Sequence, residues 1–313
     1  MTPIHSGAAG AAPVGPVLLA VLAMLSVQSG AAAATFMFDD VGPAGAAWLR
    51  LSWAAAILLC LSRPALRGRG KGDLRAAVAL GVVSAAMTVS YFQALDRIPL
   101  GTATALEFLG PLTLAAFGPR QRRGVVWPLL AGIGVLGLTE PWSGAVDMLG
   151  VAFALLAGAS WAGYILLTQR VGDRFAQLDG LALSLVVAAL LTTPAAFTLQ
   201  AGAIDGRVLA VSLGAAVLLP LLPYSLEMVA LRKLTSASFG TLMSVEPAIG
   251  ALIGLILLSQ ALAPLQVLGI VLVTIAGLGA ARQGTRVGSP GHAVVDAELT
   301  PAGPAVTPMP AVS

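Results

Sequence analysis

The sequence predicts an all-α membrane protein of ten transmembrane helices, arranged as two inverted five-helix repeats. Three observations carry this expectation. The apolar excess is too large for a water-facing globule, the basic residues gather in every second gap between the apolar runs, and a faint duplication recurs at a spacing of 136 residues. Hydrophobic residues make up 58% of the chain and charged residues 10%, where soluble domains carry about 25% charged residues.

A spanning helix needs about 20 predominantly apolar residues. Ten runs approach that length, over residues 17–36, 44–61, 74–95, 100–117, 125–138, 149–167, 178–197, 208–231, 236–258 and 265–281. The fifth is the shortest. The first reads as a span rather than a cleaved signal, because no Lys or Arg precedes it and the run is too long.

The basic residues orient these runs. With the N-terminus inside, the inner gaps and the C-terminal tail hold Arg63, Arg67, Arg69, Lys71 and Arg75, then Arg120, Arg122 and Arg123, then Arg170 and Arg174, then Arg232 and Lys233, then Arg282 and Arg286. The outer gaps hold only Arg97 and Arg207, and Arg50 lies within the second run. A missed span would scramble every later gap, so the bias supports both the span count and cytoplasmic termini in a bacterial inner (plasma) membrane. The Arg-rich loop after the second run reads chiefly as an orientation signal at the lipid surface.

The duplication supplies the symmetry. Moving the second half back by 136 residues lays Leu242 on Leu106, Pro247 on Pro111 and Ala251 on Ala115. Five spans separate the copies, and an odd number inverts topology, as transporters with two access states require. The expected organisation is a cytoplasmic N-terminal tail (1–13), a first repeat (14–140), a second repeat (141–281) and a disordered C-terminal tail (282–313) rich in Pro, Ala, Gly, Ser and Thr.

Polar groups inside the spans are the candidates for chemistry, because a charge at membrane depth costs about 2.5–3.5 kcal/mol on insertion scales. Glu107, Glu227, Glu246 and Arg50 fall there. Glu107 and Glu246 are expected near the middle of the fourth and ninth spans, each close to a kinking proline, Pro111 and Pro247. Pro111 removes the donor for the carbonyl of Glu107 itself. A carboxylate beside unpaired backbone suits an ammonium group or a proton, and equally a protonated side chain gluing two helices. Glu227 is near a helix end and either works or snorkels to Arg232 and Lys233. Arg50 either grips a carboxylate or pairs with Asp39 or Asp40. Softer candidates are Tyr91, Gln93, Tyr224, Trp161, Tyr164 and Gln28, with interface anchoring the plainer reading for each tyrosine and tryptophan.

Several function classes find no material here. The two histidines, His5 and His292, lie in the tails, so no metal centre or serine triad is expected within the spans, and no cofactor. The single cysteine, Cys60, forms no internal disulfide. No span pairs two aspartates as an intramembrane protease requires, and Asp179 stands alone. An enzyme is not expected, nor a nucleic-acid partner, since the small net charge of +3 comes from loops.

Three strings together resemble a known family: PLGTATALEFLGPLTLAAF at 99–117, LPYSLEMVALRKL at 222–234 and FGTLMSVEPAIGALIG at 239–254. They are similar to the drug/metabolite transporter superfamily, EamA type, and within it to the threonine and homoserine exporters. The likeness runs over about residues 14–281 and leaves out both tails and the basic loop after the second span. It implies ten helices in two inverted repeats, a central cavity, and amino-acid efflux driven by protons. The acidic positions would fall on Glu107, Glu227 and Glu246. An exporter of another metabolite or a drug is the alternative within the same superfamily.

Overall fold

The structure, a computed structural model, describes residues 14–62, 64, 70–116, 126–140, 146–172, 175, 178–199, 203–223, 226 and 242–283. Its helices follow the apolar runs. They are α1 (Val14–Thr35), α2 (Phe38–Ser62), α3 (Lys71–Leu95), α4 (Leu100–Glu107), α5 (Leu109–Ala116), α6 (Val126–Thr139), α7 (Met148–Gly172), α8 (Asp179–Thr192), α9 (Gly206–Ala216), α10 (Glu246–Leu258) and α11 (Pro264–Gln283). A 3₁₀ turn, Thr193–Thr198, follows α8, and a π turn, Val217–Leu221, follows α9. The described residues contain no strand.

Among the described residues six segments are long and apolar enough to cross a membrane: Gly15–Thr35, Phe38–Ser62, Lys71–Leu95, Met148–Thr168, Asp179–Phe197 and Pro264–Ala281. Val126–Thr139, Gly206–Leu219 and Glu246–Leu258 are shorter apolar helices. A helix the length of α2 measures about 37 Å at 1.5 Å per residue, enough to cross a hydrocarbon core of about 30 Å with some tilt.

Helix α3 lies along α7 and α8, α2 along α8, and α11 along α6, while α4 packs against α10 and α7. The main core joins Met24, Leu49, Phe92, Leu106, Ile249 and Ile253. A second core gathers Phe108, Leu112, Leu138 and Val273 around α11. Large apolar side chains such as Leu129, Ile133, Leu190, Leu255, Ile256 and Val271 stay exposed. That surface suits lipid, in which helices associate through close packing rather than the hydrophobic effect.

The fourth and ninth of the expected spans are broken, and a proline accompanies each. Pro111 cannot donate to the Glu107 carbonyl, so α4 ends at Glu107 and α5 resumes with the Leu112 N–H on the Phe108 carbonyl at 3.1 Å. Glu107 therefore closes α4 at a break within the fourth span. The ninth span departs further from expectation. Glu246 is the first residue of α10, and residues 244–245 form a turn before it. Pro247 cannot serve the Met243 carbonyl but is tolerated in the first helical turn.

Backbone approaches at these breaks are close. A Cβ on Gly110 would overlap the Gly158 carbonyl, and one on Gly158 would lie 2.7 Å from the Glu107 carbonyl oxygen. The breaks at Phe108 and Ser244 are 136 residues apart, and both press on α11. A Cβ on Gly277 would lie 2.7 Å from a Phe108 ring carbon and 2.7 Å from the Ser244 Cβ.

The two basic residues that the charge count assigns to the outer side each meet an acid assigned to the same side. Arg97 pairs with Asp147 at 3.4 Å and Arg207 with Asp40 at 3.1 Å. Such exposed pairs add little stability. The backbone N–H of Gly150, then that of Leu149 and the Arg97 guanidinium, hold the Asp147 carboxyl below the usual range. Both tails, most of the basic loop after α2, Tyr224 and Glu227 lie outside the described residues.

Candidate functional site

Four helices meet in a buried chain of hydrogen bonds. Tyr91 on α3 places its hydroxyl 2.8 Å from Thr104 Oγ1 on α4. Thr104 donates to Gln28 Oε1 on α1 at 3.2 Å, with the Leu100 carbonyl as a second acceptor at 2.9 Å. Gln28 Nε2 then donates to Glu246 Oε1 on α10 at 3.2 Å. Gln28 is 1% exposed and Glu246 6%. Burial at this level demands partners for every polar atom, and the amide of Gln28 meets that demand with one acceptor and one donor. Its neighbour Gly250 leaves room for the contact: a Cβ there would lie 2.9 Å from Thr104 Oγ1.

Arg50 lies beside this chain, 7% exposed. Its Nε donates to the Leu219 carbonyl at 2.9 Å and its Nη1 to Thr88 Oγ1 at 3.1 Å. The guanidinium carbon sits 5.8 Å from the centre of the Phe92 ring, within cation–π range. The pairing with Asp39 or Asp40 expected as one option does not form. Asp40 is held by Arg207, and Arg50 is turned into the bundle.

Glu107 is half-buried and within Coulombic reach of both Glu246 and Arg50. Tyr91 and Tyr164 share the field of Arg50. Among the described residues Glu107 forms no hydrogen bond or ion pair through its side chain, and neither does Nη2 of Arg50. The sealed polar side-chain atoms without a partner in the described residues are Thr102 Oγ1 and Thr274 Oγ1. Neither the Glu107 carboxylate nor Arg50 Nη2 is among them.

The structure thus brings together Arg50, Tyr91, Glu107, Glu246 and Gln28. Gln93 is half-buried on α3 outside the hydrogen-bonded chain. Pro111 and Pro247 act as break-makers rather than ligands. The Trp161 ring packs edge-on against Phe108 at 6.2 Å. Thr88 and Thr104 were not legible as site residues, although each stands one helical turn before a candidate, Tyr91 and Glu107. No group of His, Cys, Asp and Glu among the described residues is arranged to hold a metal ion.

A bundle of apolar helices with ionisable groups buried among them is that of a multi-pass membrane protein. The comparisons agree. The EamA-like transporter family matches residues 148–280. The threonine/homoserine exporter RhtA of Escherichia coli K12 is 39% identical over 259 residues, 81% of this chain and 87% of its own. RhtA of Salmonella typhimurium LT2 is 37% identical over 258 residues, again 81% and 87%. The uncharacterized protein PA1977 of Pseudomonas aeruginosa is 36% identical over 245 residues, 73% and 82%. A crystal structure with 18% identity aligns at a TM-score of 0.55, over 85% of this chain and 96% of the other, a likeness of fold alone. The chain belongs to the EamA-like transporter family.

Proposed function

We propose that this protein exports small amino acids of the threonine and homoserine type across the bacterial inner membrane, by proton-coupled alternating access between two inverted five-helix halves. The printed activity of its relatives in Escherichia coli and Salmonella points to the substrate class. One observation carries the reading: a buried guanidinium and a half-buried carboxylate lie in each other's electrostatic field and are not bonded to each other. A zwitterion supplies the complement of both. Its carboxylate goes to Arg50 in the fork geometry guanidinium favours, and its ammonium to Glu107.

Glu246 is the coupling site in this scheme. With both glutamates and Arg50 ionised, the cluster carries one excess negative charge. One proton on a glutamate neutralises it, so proton and substrate ammonium compete for the same field. The relay from Tyr91 through Thr104 and Gln28 ends on Glu246 as an acceptor and holds its carboxylate in place.

The two breaks, at Phe108 and Ser244, sit at equivalent places under the 136-residue shift. They support the inverted-repeat reading, in which broken helices line a shared midplane site. The ion pairs of Arg97 and Arg207 support the orientation with cytoplasmic termini, because they neutralise the two basic residues on the outer side. Threonine flux in reconstituted vesicles, with and without a pH gradient, tests the whole. Transport that follows the gradient is expected. A Glu246→Gln variant that inserts normally yet exports at full rate with unchanged pH dependence would remove Glu246 from the mechanism. Vesicles that move cationic drugs and ignore threonine would replace the substrate class.

A further inference from the structure

The eighth span is interrupted by chemistry written in VLLPLLP, residues 217–223. Pro223 has no N–H for the carbonyl four residues back, which is Leu219. The Leu222 N–H bonds the Val217 carbonyl, a π-type bond, and so passes over Leu218. Leu219 itself is extended, at φ −154° and ψ 93°. Two consecutive carbonyls, of Leu218 and Leu219, thereby lose the helical donor four residues on.

Both are taken by side chains of the first two helices. Ser26 Oγ donates to the Leu218 carbonyl at 2.8 Å, and Arg50 Nε to the Leu219 carbonyl at 2.9 Å. The break is thus stitched to α1 and α2 by one neutral and one charged donor. Committing a buried guanidinium N–H to a neutral carbonyl is a weak use of it, since bonds from a guanidinium to a carboxylate are about twice as strong as neutral ones. A bidentate grip needs two N–H groups on one edge of the fork. On the edge formed by Nε and Nη2, Nη2 has no hydrogen-bond partner among the described residues and Nε holds Leu219.

We propose that the substrate's carboxylate takes this edge of Arg50, displaces the Leu219 carbonyl, and so unlatches the broken eighth span from α2. Substrate binding is then coupled to movement of α9 through a single exchanged hydrogen bond. Arg50 is both ligand and latch, and Ser26 is a positioning residue that tightens the closed state without touching the substrate. The proposal rests on the amino-acid reading above. Capture of the carboxylate on the Nη1–Nη2 edge instead would leave Leu219 in place.

Hydrogen exchange of the full-length protein in lipid nanodiscs tests it, read on peptides covering residues 217–223, with binding followed separately by thermal shift. L-threonine should accelerate exchange there by about tenfold or more, the loss expected for a charge-assisted bond. Threoninol, which keeps the ammonium and lacks the carboxylate, should leave it unchanged. Ser26→Ala should raise the substrate-free exchange by on the order of fivefold, the worth of one neutral hydrogen bond, and keep the response to threonine. Arg50→Lys should abolish the response. If threonine binds and exchange at the break does not change, the latch is refuted while the transport reading stands. If threonine and its analogues produce no thermal shift at all, the transport reading fails and the latch fails with it.

Discussion

Replacing Gln28 by Leu tests the buried relay with little change of volume. The wild-type amide makes two bonds, from Thr104 at 3.2 Å and to Glu246 at 3.2 Å, in a site where Gln28 is 1% exposed. Both are long for their type, so each belongs at the lower end of its range. A neutral bond is then worth about 0.5–1 kcal/mol and one to a carboxylate about 1.5–2 kcal/mol. The variant should lose about 2–3 kcal/mol of the preference that holds Glu246 in its observed position. At about 1.4 kcal/mol per decade, that lowers occupancy of the competent geometry by roughly 30- to 150-fold. Threonine counterflow in proteoliposomes at matched protein density measures the rate, and thermal unfolding checks the fold. A double-mutant cycle with Glu246→Gln isolates the pair, with an expected coupling of at least about 1 kcal/mol. Wild-type counterflow by a folded Gln28→Leu variant, or strict additivity in the cycle, would refute a functional relay.

Other outcomes follow from single features. Glu107→Gln should weaken the affinity for zwitterionic substrates by about tenfold or more through loss of a charge partner, seen as a raised KM in vesicle uptake. Gly158→Val should fail to fold or lose more than about 3 kcal/mol of stability, because the added atoms meet the Glu107 backbone, and unfolding in detergent reports it. For Asp147, a carboxyl held below its usual range contributes stability that is complete above the usual value and is lost as the pH falls through the lowered one. Unfolding of the wild type should therefore steepen only below about pH 4, and Asp147→Asn should remove that component of the profile. Cells overproducing the protein should tolerate threonine or homoserine at levels that arrest control cells, and a Glu107→Gln, Glu246→Gln double variant should not.

The apolar runs were enough to locate the described helices, because hydrocarbon imposes a length rule that few other environments share. The prolines foretold breaks, yet not their geometry. Pro111 was expected to free the Glu107 carbonyl and does so at the end of a short helix, while Pro247 begins a helix instead of bending one. Arg50 was legible as a buried charge, but its partners were not. One is a backbone carbonyl 169 residues away, exposed by Pro223, and no side-chain pattern announces a carbonyl. The two bonds of Gln28 likewise span 76 and 218 residues. Pairings over such distances depend on how four helices rotate about their axes, which small differences in packing decide. Asp40 illustrates the same point, since sequence proximity favoured Arg50 and the fold delivered Arg207.

Gly277 stands where both interrupted helices lean on α11, with a bare hydrogen as the only spacer. Clearance at that residue therefore sets how far apart the two kinks can rest. An alanine there would act as a wedge, forcing either or both to retreat by some tenths of an ångström. A single methyl at this fulcrum would thus shift, in one step, the residues that flank Glu107 and Glu246.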